Sequence, residues 1–132
     1  MRLKLSAVMR CQIAYALIGF IFNVVSIFTL NICGYLLAPT NPFIGAAAML
    51  LYFGFVLTGY YNFVKLYRTL MALSILVFGY GGIVLHVVRL VGSAELYVSF
   101  YVGVLAVVIN AVGLVLNFIA VFGLYEQSEK VV

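Results

Sequence analysis

Charge is what this chain has least of. Asp, Glu, Lys and Arg make up 8% of its 132 residues, and only three residues are acidic. A soluble domain carries roughly 25% charged residues and about 45–50% apolar ones. Here the apolar fraction is 67%. A chain this oily cannot cover itself with a surface that water tolerates, so its composition reads as integral membrane.

Each shortage excludes something. No acidic residue falls inside a long apolar run, which leaves no transmembrane proton-relay or ion-coupling carboxylate. There is one histidine, His86, and neither HExxH, GxSxG, a P-loop nor a GxGxxG turn opening a helix. The serines therefore have no base placed to activate them, and the expectation is a protein that is not an enzyme. The net charge is +4, but the seven basic residues form no cluster, so no nucleic acid partner is expected. Cys11 and Cys33 would lie roughly 33 Å apart along one helix, too far to pair, and their spacing is not that of a metal site. No cofactor is expected.

What is present is four apolar segments, each long enough to cross a bilayer. They run about 13–37, 43–63, 69–90 and 98–124. The basic "MRLKLSAVMRCQ" precedes the first, and that run is too long for a cleavable leader, so it reads as an uncleaved span. The connections "APTNP", "VKLYR" and "VGSAELY" are short, which makes consecutive helices antiparallel neighbours. Pro39 and Pro42 bracket the first turn, where a helix cannot easily continue. The expected fold is an all-α, antiparallel four-transmembrane-helix bundle forming one domain over 1–132.

Arg2, Lys4, Arg10, Lys65, Arg68 and Lys130 fall on one side of this arrangement, and Arg89 alone on the other. The positive-inside rule then puts both termini on the cytoplasmic side or its equivalent. Tyrosines favour membrane interfaces, and Tyr60, Tyr61, Tyr67 and Tyr125 on one side face Tyr35, Tyr97 and Tyr101 on the other.

Helical spacing gives each span a face of small or polar residues. In the first it holds Gly19, Asn23, Ser26 and Gly34; in the second Ala47, Gly54, Thr58 and Tyr61. The third has Gly79, Gly82, His86 and Arg89; the fourth Gly103, Asn110, Gly113 and Asn117. Small residues let helix backbones approach in a membrane, and amides bond across the seam, so these are expected helix-packing faces.

His86 and Arg89 stand near the end of the third span, with Glu95 just beyond. At that depth Arg89 can snorkel to headgroups, and Glu95 can pair with it. The three form an expected contact site for lipid or a partner. A sharper reading makes His86 and Met49, at comparable depth, the axial ligands of a haem. "GYGG" (79–82) reads as close packing or a flexible point.

The leading functional expectation is a non-catalytic multi-pass membrane subunit or accessory protein. It would pack against other transmembrane subunits, or against itself, amid membrane lipids. The alternatives are a small homo-oligomeric transporter or channel, and a cofactor or quinone anchor in an electron-transfer complex.

Overall fold

The computed structural model describes residues 3–126. Arg2 and Lys130, two of the basic residues used for orientation, lie outside the described residues. Among those described, four helices are long and apolar enough to cross a membrane: Leu5–Cys33, Pro42–Tyr60, Val64–Gly92 and Phe100–Phe122.

The first, α1 (Leu5–Cys33), starts earlier than hydropathy placed it and stops earlier too. It ends where Gly34 takes a left-handed conformation (φ 77°) and returns its N–H to the Leu30 carbonyl. Only glycine enters that region without a Cβ penalty, so the helix closes there instead of running to Leu37. The second, α2 (Pro42–Tyr60), begins on a cap that the sequence spells out. The Asn41 side chain accepts from the amides of Phe43 and Ile44 at 3.0 and 3.2 Å, and Pro42 occupies the first helical position, where its missing N–H costs nothing.

The third span is not uniform. It comprises α3 (Val64–Val77), a π-helical stretch over Phe78–Val84, and α4 (Leu85–Gly92). The π stretch is "FGYGGIV", which contains the glycine-rich run. Glycine is a poor helix former, and three of them loosen the preference for regular α-helical winding. After a single 3-10 turn at Ala94–Leu96, α5 (Phe100–Phe122) starts on Ser99, whose hydroxyl accepts from the Val102 amide. It ends at left-handed Gly123 (φ 65°). Beside that end, the Arg68 guanidinium donates twice to the Val121 carbonyl, a favourable place for a cation at a helix C-terminus.

Two short strands, β1 (Leu3–Lys4) and β2 (Tyr125–Glu126), pair in parallel and bring both ends of the described chain together. At the opposite end, loop 34–41 is tied to the connection before α5 by the Val98 amide on the Leu37 carbonyl.

Contacts between helices follow a regular order. Met9 packs on Gly59, Met49 on Gly19, and Asn23 on Gly45, so α1 numbers rise as α2 numbers fall. Leu90 packs on Gly103, Asn110 on Gly82 and Leu114 near Gly79, in the same descending order between the third span and α5. The core these contacts enclose is built from Val8, Met9, Tyr15, Tyr52, Val56, Tyr67, Met71, Leu116 and Ala120. Large apolar side chains such as Ile32, Leu76 and Val91 are exposed. An outward face of that kind suits lipid rather than water. Cys11 and Cys33 are exposed and unpaired.

Candidate functional site

Two layers of the molecule hold the polar side chains. The first lies nearer the chain ends. Gln12 is fully buried; its carbonyl oxygen accepts from the Tyr67 hydroxyl at 2.6 Å, and its amide nitrogen lies 3.1 Å from both Asn117 Oδ1 and Met71 Sδ. Asn117 Oδ1 also accepts from the Tyr52 hydroxyl at 2.6 Å. One cluster thus joins α1, α2, α3 and α5. Buried polar groups are costly unless bonded, and these satisfy one another. Asn117 Nδ2 is the exception, buried and without a partner.

Above this cluster sits an aromatic floor. Tyr15, Tyr52 and Phe78 meet edge to face, with ring centroids 5.3–6.2 Å apart. Gly113 makes room for it, since a Cβ there would clash with the Tyr15 ring.

The second layer is a cavity of about 430 Å³ between this floor and loop 34–41. Its lining comes from α1, loop 34–41, α2, the end of α3, the π stretch, α4 and α5. Apolar walls include Phe22, Ile44, Val77, Leu85 and Ile109. Thr40, Asn41, His86 and Arg89 stand toward the loop, and Asn23 and Asn110 line the cavity farther in, where Asn110 Oδ1 accepts from the Tyr15 hydroxyl at 3.4 Å. This matches the usual ligand site, which is mostly apolar, on the order of 300–1,000 Å³, with a few placed polar groups.

His86 is buried, and its Nδ1 stands 2.7 Å from the Tyr97 hydroxyl, which also reaches the His86 carbonyl at 3.3 Å. Burial pushes the Tyr97 hydroxyl above the ordinary phenol range, and the Arg89 charge opposes that. Arg89 is half-buried and donates from one terminal nitrogen to the Pro39 carbonyl at 2.9 Å. The expected ion pair with Glu95 does not form. Glu95 is exposed on the 3-10 turn, and among the described residues Arg89 has no carboxylate partner. The Pro39 carbonyl has taken the place of the carboxylate because loop 34–41 folds back across the end of α4.

The expected packing residues divide. Gly19, Asn23, Gly79, Gly82, Gly103, Asn110, Gly113 and Asn117 face other helices. Ser26 is buried, and its hydroxyl accepts from the Leu37 amide. Gly34 ends α1 in open space instead of packing. The second span turns a different face inward. Ala47, Gly54 and Tyr61 are exposed, Thr58 bonds back to the Phe55 carbonyl, and the buried positions are Ala46, Met49, Tyr52, Val56 and Gly59. The reason is Tyr52, whose large ring and hydroxyl find both volume and a partner only in the interior. Met49 and His86 do line one cavity, with Met49 sulfur seated against Gly19.

Gln12, Tyr15, Tyr52, Tyr67 and Met71 were not singled out as site residues from sequence. Tyr67 read as an interface tyrosine but is fully buried, and Tyr97 and Tyr125 are buried too. The available signal was the run Gln12, Tyr15, Gly19, which shares one face of α1. Comparisons with protein families, with curated proteins and with solved structures return no match.

Proposed function

We propose that this chain is an antiparallel four-span membrane bundle, with both termini on the cytoplasmic side, that binds a small and largely apolar molecule without transforming it. The descending order of the α1–α2 and third-span–α5 contacts supports the antiparallel arrangement. Arg10, Lys65 and Arg68 near the chain-end side, against Arg89 at the loop side, support the orientation. The binding role is carried by one observation: a largely apolar cavity of about 430 Å³ that all four spans line, with its one cationic side chain, Arg89, at the loop end.

The test fills the cavity. Ala48 lines it, and so does Gly81, where an added Cβ meets nothing within 4 Å. Ala48→Phe and Gly81→Leu should insert and fold, yet lose a small molecule that co-purifies with the wild-type protein from native membranes in a neutral detergent. Mass spectrometry of the organic extract reads the outcome. Identical extracts from wild type and both variants would sink the reading.

A second reading, a non-catalytic accessory subunit, is favoured by the second span. Ala47 and Gly54 are exposed, and a Cβ on Gly54 meets nothing within 4 Å, which is room for another backbone to approach. Gly54→Leu should then lower recovery of a transmembrane partner, or of a second copy, in native co-purification. Recovery equal to wild type removes this reading.

A further inference from the structure

The cavity's loop end, which serves here as its mouth, carries a cation that no described carboxylate answers, while Asn23 and Asn110 are the polar residues on otherwise apolar walls. Resting on the binding role proposed above, we propose that the occupant is a single-chain amphiphile with an anionic head group, its tail among the apolar walls and its oxyanion on Arg89.

Among the described residues, Arg89 is the only Lys or Arg lining the cavity, and no Asp or Glu lines it. A guanidinium has five N–H donors in a fixed fork. One of these is used, on the Pro39 carbonyl, and no carboxylate answers the charge among the described residues. A half-buried cation beside apolar side chains is costly until an anion meets it, and arginine's fork matches carboxylate and phosphate oxygens two at a time. The Pro39 bond leaves the side chain held at the mouth instead of free to sweep away.

The start of α2 adds to the same field. Thr40 and Asn41 line the mouth, and the positive end of the α2 dipole lies there. Its first amides are already taken by Asn41, so the helix supplies potential rather than donors. His86, tied through Nδ1 to Tyr97, adds a second polar group on the same side.

The tail has somewhere to go. From Arg89 to Phe78 the third span descends at most about 16 Å at α-helical rise, less through the π stretch, toward the aromatic floor, and Ile44 and Val77 add apolar wall. The volume suits one chain. A two-chain phospholipid would have to leave most of itself outside.

The experiment uses photoreactive dodecanoate and photoreactive dodecanol, identical except for the head, with the full chain in vesicles of zwitterionic phosphatidylcholine. Labelled peptides are mapped by mass spectrometry. The carboxylate probe should label the cavity walls more strongly than the alcohol, by roughly tenfold or more, as expected for a hydrogen-bonded charge pair. Arg89→Gln should erase that excess and leave alcohol labelling unchanged, while Arg89→Lys should restore part of it. Dodecanoate without the photoreactive group should compete, and inorganic phosphate should not.

Equal labelling by the two probes in wild type, both lost in Ala48→Phe, overturns the anionic head and leaves the cavity's binding role standing. No wall labelling by either probe overturns both. Competition by inorganic phosphate as strong as by dodecanoate overturns the amphiphile in favour of a free anion. Because the probe comparison is made in wild type, the proposal stays testable even where Arg89→Gln fails to fold.

Discussion

The two polar layers of this protein are built from similar residues and come out opposite. Near the chain ends, Gln12, Tyr52, Tyr67 and Asn117 are all buried and bonded to one another, and Met9 and Met71 fill the space between. Toward loop 34–41, Asn23, Asn110, His86 and Arg89 border a cavity. The difference lies in where the amides turn. Asn23 and Asn110 each donate back to a carbonyl four residues earlier on their own helix, at 2.8 Å. Gln12 and Asn117 reach across to other helices. Gln12 and Asn117 join helices through side-chain bonds in the chain-end layer, whereas Asn23 and Asn110 commit their amide nitrogens to their own helices and pack against Gly45 and Gly82 across the seam, with Asn110 Oδ1 taking only the Tyr15 hydroxyl at 3.4 Å. The π stretch widens the third span at the same level, and such irregular turns collect at functional sites.

Breaking the packed layer should have the largest effect. Asn117→Leu removes the amide acceptor of both Gln12 and Tyr52, leaving the buried Tyr52 hydroxyl without a partner and Gln12 Nε2 with only the weak Met71 sulfur. The expected loss is about 2–3 kcal/mol, read as reduced resistance to unfolding in mixed detergent. Gln12→Leu should cost a similar amount, and the double variant much less than the sum, because both act on one network. Additive losses would mean that the two amides are not coupled.

Next in size is a comparison of glycines. Gly113→Ala places a methyl against the Tyr15 ring and should destabilise by about 1–3 kcal/mol through overpacking. Gly81→Ala, beside the cavity, meets nothing within 4 Å and should be neutral or stabilising by up to about 1 kcal/mol, since alanine favours helix. A large loss at Gly81 would mean that the cavity layer is as tightly packed as the other.

The smallest effect is expected at the mouth. His86→Phe removes the 2.7 Å contact to Tyr97 but keeps a ring of similar shape. The expected cost is about 1 kcal/mol in the same unfolding assay, with span insertion unchanged. A loss as large as that of Asn117→Leu would place His86 in the structural core of the protein instead of at the edge of the cavity.

The sequence by itself determined that the chain carries four helices long and apolar enough for a membrane, because hydropathy over a run of residues is a local sum that needs no partner. It also determined the start of α2. Asn41 and Pro42 act on the backbone beside them, and the structure uses both as written. Glycines at 34 and 123 mark helix ends by their own conformational freedom, although the hydropathy of Tyr35 to Leu37 hid the first of these.

Only the tertiary structure decided which face of α2 turns inward. That helix is apolar all round, so periodicity has little to say, and small residues suggested Ala47 and Gly54. The interior went to Met49 and Tyr52, because Gly19 left space for one and Asn117 offered the other a bond. The same holds for Tyr67, whose place near a span end resembled an interface anchor until Gln12, far away in the chain, met its hydroxyl. The cavity was beyond reach for the same reason. An unfilled volume belongs to no residue, and it exists only once the helices have met and the side chains between them have failed to close it.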